Sequence, residues 1–185
     1  SNFYEGAWDY EKCEKHSIFL SQGDYPIKGL HYMLKAMPVI LQVYPDAKVY
    51  VAGNKIASYE TWKDKIKISS YGKYILELIK KNELQDKIIF LGRMNAAQMK
   101  EQFLKSHVFV CPSVIENSPN SLGEAMILGV PCVTARSGGI PSIFTDGEDG
   151  IVYPAHGASA YEKAADKEQA QAERLAKAVM QMWSD

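Results

Sequence analysis

Cys13, Cys111 and Cys132 are the three cysteines in a chain of 185 residues. They form no C-x-x-C pair and no metal-ligand spacing, so the sequence offers no case for a zinc site or a dithiol redox centre. Cys111 and Cys132 each sit in an apolar run, where a thiol behaves as a small buried hydrophobe. A sparse, odd count fits a reducing compartment such as the cytoplasm. No apolar stretch approaches the roughly 20 residues that span a bilayer, and no basic-then-apolar leader opens the chain. An excess of one charge is missing too: 21 Lys and Arg stand against 22 Asp and Glu. That balance lacks the basic surplus of a nucleic-acid binder, so an anionic ligand has to be gripped locally.

What is present is an ordinary globular composition, 46% hydrophobic and 23% charged, in a length that suits one domain, residues 1–185. Short apolar runs alternate with helical patterns. Strands are expected at 16–21, 47–52, 87–91, 108–111, 131–135 and 150–153, the last stopped by Pro154. Helices are expected between them. The first starts near Gly29 with Leu30, Leu34, Met37 and Leu41 on one face and Pro38 inside, where a proline can kink it. A mostly helical stretch spans 58–82, its face made by Tyr74, Ile75, Leu78 and Ile79. Asn95 can cap a helix carrying Met99, Phe103 and Leu104. Another helix runs from about Pro119 to Leu128 and ends at Gly129. A short one lies near Pro141–Phe144. The last runs from about Lys167 to Trp183, with Ala172, Leu175, Ala176, Val179 and Met182 as its stripe, after an alanine-rich, charged loop at 156–167.

Six strand–helix units in strict alternation predict an α/β fold: a three-layer, Rossmann-like domain with a six-stranded parallel sheet and helices on both faces. The continuous apolar strands agree, because such sheets are covered on both sides. Ligands in these folds sit beyond the carboxyl ends of the strands. Functional residues are therefore sought just after strands.

Four post-strand loops carry polar or glycine features. After strand one, the turn from Gly23 to Gly29 places Lys28 at a helix start, a compact cation suited to phosphate oxygens; most lysines in such places are simply solvated. After strand three, the Gly92-Arg93-Met94 turn can reach a nucleobase edge with its backbone. After strand four, Glu116 and Glu124 stand eight positions apart. Glu116 lies in the loop, and Glu124 lies roughly 8 Å along the following helix from Pro119. That separation suits a ligand as long as a nucleoside diphosphate sugar, and a carboxylate can accept both hydroxyls of a ribose. The helix start between them offers free amides for a diphosphate. By spacing alone a loop acid and a helix-surface acid remain the simpler description. After strand five, Gly138-Gly139 lets the backbone approach a ligand closely and opens a second helix start. A plain tight turn accounts for it equally well.

In this order the landmarks resemble the C-terminal half of a GT-B glycosyltransferase of the group-one, retaining, E-x7-E type. They are Pro26-Ile27-Lys28-Gly29, Val49-Tyr50-Val51-Ala52-Gly53, Ile88-Ile89-Phe90-Leu91-Gly92, Glu116 with Glu124-Ala125-Met126, Gly129-Val130-Pro131-Cys132-Val133, Gly138-Gly139-Ile140-Pro141 and Asp146-Gly147. The likeness runs over residues 16–183. It implies transfer of a sugar from a nucleoside diphosphate sugar to an acceptor with retained anomeric configuration. Glu116 would contact the donor sugar near the reacting carbon and Lys28 would steady the diphosphate; these two are the catalytic pair. Glu124 would hold the ribose. Backbone around Gly92, Arg93 and Met94 would contact the base. Amides near Asn117, Asn120, Ser121, Leu122, Gly138 and Gly139 would face the diphosphate or sugar. The resemblance implies no cofactor and no metal, since protein charges and helix dipoles stabilise the departing diphosphate.

The sequence departs from the family pattern at Gly23, a donor-facing position five residues before Lys28 where the family commonly has an arginine. Arg136 is a candidate substitute by location. The stretch 54–72 is longer than usual. The acceptor, a glycan or lipid-linked molecule, would bind an N-terminal domain absent from this chain. The expectation is therefore a cytoplasmic donor-binding half whose full-length enzyme can touch a membrane peripherally, and which transfers poorly alone. Two alternatives remain: a non-catalytic nucleotide-sugar module, and a GT-B relative that epimerises or phosphorolyses.

Overall fold

The computed structural model describes residues 5–54, 56, 69–115, 120–155 and 163–184. Six strands, β1 (Glu14–Leu20), β2 (Lys48–Ala52), β3 (Ile88–Gly92), β4 (Ser106–Cys111), β5 (Cys132–Arg136) and β6 (Ile151–Pro154), form one sheet in the order β3-β2-β1-β4-β5-β6. All five pairings are parallel. This is the doubly wound order, and its topological switch lies between β1 and β4, where a crevice opens at the carboxyl ends.

The helices are α1 (Leu30–Val43), α2 (Ser70–Lys81), α3 (Ala96–Lys105), α4 (Asn120–Ile127), α5 (Ile140–Ile143) and α6 (Ala164–Ser184). Side chains alternate along the central strands, so each strand feeds two cores. Ile18, Leu20, Val49, Val51, Val108 and Val110 face α1, α2 and α6. Phe19, Ala52, Phe109 and Cys111 face α3, α4 and α5. On that second face Phe19, Phe103 and Phe109 meet edge to face, with centroids 5.2–5.8 Å apart. All three thiols are buried.

The expected architecture holds, with local corrections. β1 starts at Glu14 and ends at Leu20; Ser21 already belongs to the turn. β4 starts at Ser106, because His107 is buried against Trp183 and Ser106 is buried beside Gln102. Pro154 closes β6 from within its span. α1 runs through Pro38 as a single 14-residue helix. Asn95 caps α3 in a reciprocal pair with Gln98, and Gly129, at φ 75°, ends α4. Of the helix expected over 58–82, Ser70–Lys81 is observed, with Ser69 accepting from the Gly72 amide; 57–68 lies outside the described residues. The charged loop expected at 156–167 gives way to helix from Ala164, and 156–162 lies outside the described residues.

Candidate functional site

The chain leaves β1 through a turn that tightens into a 3-10 helix at Pro26–Lys28. Pro26 presets the first φ, and Gly29 ends the turn in the left-handed region, at φ 82°. A Cβ at Gly29 would lie 2.3 Å from the Pro112 carbonyl oxygen. The two loops that follow β1 and β4 therefore touch backbone to backbone, and only glycine permits it. The Val114 amide seals the contact by donating to the Ile27 carbonyl at 3.0 Å.

This contact holds Lys28 at the rim of a cleft of about 390 Å³ at the carboxyl edge of the sheet. The floor is made by the ends of β1 and β4, Leu20, Phe109 and Cys111. Met94 and Met99 form one wall, and Asn120, Ser121 and Leu122, the first turn of α4, form the other. The first amides of a helix have no partners within it and carry the positive end of its dipole. The cleft thus combines a lysine, the amino end of α4 and an apolar floor.

A second cleft, of about 370 Å³, adjoins it and shares Ser21, Gln22, Met94 and Met99. It opens over the ends of β2 and β3 and holds Arg93, Asn54 and Asp24. Gly92 ends β3 at φ 73° and accepts a hydrogen bond from the Gly53 amide at 3.0 Å. The two clefts together make one trough along the sheet edge.

Of the residues read from sequence, Lys28, Met94, Asn120, Ser121 and Leu122 meet in the first cleft and Arg93 joins Met94 in the second. Glu124 stands one turn further along α4, half-buried. Burial raises its carboxyl above the ordinary value, and among the described residues no cation pairs with it. Gly138 and Gly139 follow β5, where Gly139 precedes α5. At four residues α5 is a single turn, so the expected second helix dipole is slight. Ser137 beside them has a buried hydroxyl with no hydrogen-bond partner among the described residues. Arg136 is exposed at the end of β5. Glu116 and Asn117 lie outside the described residues.

Gly23 differs from its expected role. It is buried, and a Cβ there would stand 2.4 Å from Val51 Cγ1 and 3.1 Å from Leu30 Cδ2. The position is packed into the core side of the turn and has no room for a side chain, so the missing arginine is a steric consequence of how this turn is seated.

Sequence reasoning passed over Gln22, Asp24, Asn54 and Met99. Asn54 and Asp24 follow β2 and β1, so the same search after every strand would have found them. Met99 counted only as a helix-face residue. His16 and His107 lie at the amino ends of β1 and β4, opposite the trough, while His31 sits against Tyr71, its Nδ1 2.9 Å from the tyrosine hydroxyl. His156 lies outside the described residues. Among the described residues no three His, Cys, Asp or Glu side chains gather as a metal-holding group, and no helix is long and apolar enough to cross a membrane.

The trough can be set beside known proteins. Residues 7–181 match the family described as Glycosyl transferases group 1. An uncharacterised glycosyltransferase of Methanocaldococcus jannaschii is 31% identical over 142 residues, covering 76% of this chain and 32% of the relative. The chain thus spans about a third of that protein's length. In fold it is similar to the pneumococcal O-GlcNAc transferase in complex with UDP and GlcNAc: TM-score 0.69, 16% identity, 96% of this chain and 32% of that one. It is also similar to the C-terminal domain of a glycosyl transferase group 1 family protein of Francisella tularensis: TM-score 0.61, 21% identity, 94% of this chain and 87% of that one. A doubly wound sheet in GT-B form, a lysine and a helix start meeting at its switch point, and a match over nearly the whole length agree: the chain belongs to the glycosyl transferases group 1 family.

Proposed function

We propose that the trough binds a nucleoside diphosphate sugar and that the chain is the donor-binding half of a retaining glycosyltransferase. The observation that carries this reading is the meeting of Lys28 with the first turn of α4 over one cleft. A diphosphate fits between them: the lysine supplies a full charge, and the amides of Asn120, Ser121 and Leu122 supply oriented donors. A unit charge about 4 Å from a phosphate oxygen is worth on the order of 4 kcal/mol at an effective dielectric near 20. That interaction grows as the glycosidic bond breaks and the diphosphate departs with its electron pair.

The remaining assignments follow the length of the donor. The ribose lies over Glu124, whose half-buried carboxylate takes both hydroxyls. The base reaches the Gly92–Met94 turn, and the sugar lies toward Glu116 and the Gly138–Gly139 amides, with Asn117 beside it. The new bond forms to the same face of the anomeric carbon that the diphosphate leaves. The reading calls for no cofactor or metal. The acceptor, a glycan or a lipid-linked molecule, belongs to a preceding domain, where peripheral membrane contact of the full-length protein would also arise.

A non-catalytic module has one observation in its favour: Gly23 cannot carry a second cation. Two measurements test the proposal. Amide chemical-shift mapping with a nucleoside diphosphate sugar should move residues 92–94, 120–122 and 138–139 together; shifts confined elsewhere would sink the donor site. In the full-length protein, product NMR should show the donor's anomeric configuration; inversion, or no product with any acceptor, would defeat the catalytic reading.

A further inference from the structure

The second cleft contains a chain of side chains that donor contacts do not require. Arg93 Nε donates to Asn54 Oδ1 at 2.5 Å, and Asn54 Nδ2 donates to Asp24 Oδ2 at 2.9 Å. With the Gly53 amide on the Gly92 carbonyl at 3.0 Å, the loops after β1, β2 and β3 are tied into one unit. The other carboxylate oxygen, Asp24 Oδ1, is buried without a hydrogen-bond partner among the described residues. It is wedged against Gly53, at φ 116°, where a Cβ would come within 2.8 Å of it. An unsatisfied buried oxygen is costly, so the hold on Asn54 through Oδ2 is what Asp24 contributes at this edge.

We propose that the Asp24–Asn54–Arg93 chain is a positioning device that fixes the Gly92–Met94 turn and so sets which nucleobase the trough accepts. The proposal rests on the donor-binding reading above. A base read by backbone groups gains no identity from side chains. Its selectivity lies in where the turn is held, because a hydrogen bond weakens steeply with a few tenths of an ångström or a poor angle. Arg93 belongs to the turn and is stretched back to Asn54 on the neighbouring loop, so the turn cannot slide along the sheet edge without breaking that bond. Met94, the next residue, lines both clefts and carries any displacement into the trough. Asp24, Asn54 and Arg93 act here as positioning residues.

The test is a swap. Asn54→Asp keeps the size and the Arg93 contact, but it removes the amide donor and sets two carboxylates face to face. Asp24→Asn in the same molecule restores a donor–acceptor pair in reverse, with the net charge of the original. Affinities for UDP, GDP, ADP and inorganic pyrophosphate, the base-free reference, are measured by calorimetry, and thermal melts confirm folding. The expected result is that Asn54→Asp weakens the preferred nucleotide about tenfold, the scale of one hydrogen bond to a charged partner. It should narrow the preference among bases, leave pyrophosphate unchanged, and be reversed to within about twofold by the swap. Asn54→Ala should give the same loss without the repulsion. An unchanged ratio among bases, a parallel loss of pyrophosphate, or a swap that fails to recover would overturn the proposal. Failure of the donor reading shows separately, as an original protein that binds no nucleotide better than pyrophosphate.

Discussion

The Val114 amide donates to the Ile27 carbonyl at 3.0 Å, so the loop that leads toward Glu116 is fastened to the turn that presents Lys28. Two segments more than eighty residues apart in sequence become one rim at the switch point of the sheet. In the donor reading this bond holds the turn that presents Lys28 against the start of the loop after β4.

Gly29 should not tolerate a side chain. Gly29→Ala puts a Cβ 2.3 Å from the Pro112 oxygen and imposes φ 82° on an L residue. A cost of about 1–3 kcal/mol is expected, which in a chain of this size lowers the melting temperature by roughly 2–4 °C per kcal/mol. Nucleotide affinity should fall with it, because Lys28 moves. An unchanged melt would show that the two loops are not packed this way.

Gly23→Arg, the change that would supply the family's usual cation, should fail. The new side chain starts 2.4 Å from Val51 Cγ1, and overpacking of this kind costs about 1–3 kcal/mol. Stability is expected to drop and diphosphate affinity to stay flat. A tighter, equally stable variant would mean that the turn rearranges freely.

If the ribose lies over Glu124 as proposed, donor binding should depend on pH. Burial raises its carboxyl above the ordinary 4.5, and ribose hydroxyls bond best to the ionised form. Binding therefore favours proton release, and affinity should climb as pH rises through the raised carboxyl titration, then level off. Glu124→Gln should be weaker and flat with pH. A wild-type affinity independent of pH from 4 to 7, measured by isothermal titration, would separate Glu124 from the ribose.

The opposite edge of the sheet has its own titration. Burial, then the neighbouring His16 and Lys15, push His107 down from 6.5 to about 4, so the ring stays neutral, stacked 5.5 Å from Trp183 with its Nδ1 accepting from the His16 amide at 3.0 Å. Between these values the unfolded chain binds a proton that the folded one refuses, so stability is full above about 6.5 and falls as pH drops toward 4. His107→Asn keeps an acceptor and should flatten that slope in denaturant melts. The same slope in both proteins would assign it to other groups.

The sheet was legible because parallel strands covered on both faces write themselves as uniform apolar runs, as in Val108–Cys111. Ends were less so. β4 gained Ser106 and His107, whose polar atoms are satisfied inside by Gln102 and the His16 amide, a tertiary effect invisible in local pattern. α6 gained Ala164–Asp166, where charge and alanine content suggested loop; the alanines are strong helix formers, and Asp166 sits in the first turn, where the helix dipole favours an acid. At the site, Lys28 and the α4 start were legible because each follows a strand. The burial of Gly23 was not, since what fills its space is Val51, a strand away. The Asp24–Asn54–Arg93 chain escaped notice because its members lie on three separate loops.

The most direct test of the donor site is a calorimetric titration of the chain with UDP-, GDP- and ADP-sugars, repeated on Glu124→Ala. At least one donor is expected to bind at millimolar concentration or below. Glu124→Ala should weaken that donor by about 1.5–3 kcal/mol, the loss of hydrogen bonds to a charged acceptor. No binding of any of the three at millimolar concentration, or an affinity untouched by Glu124→Ala, would contradict the account.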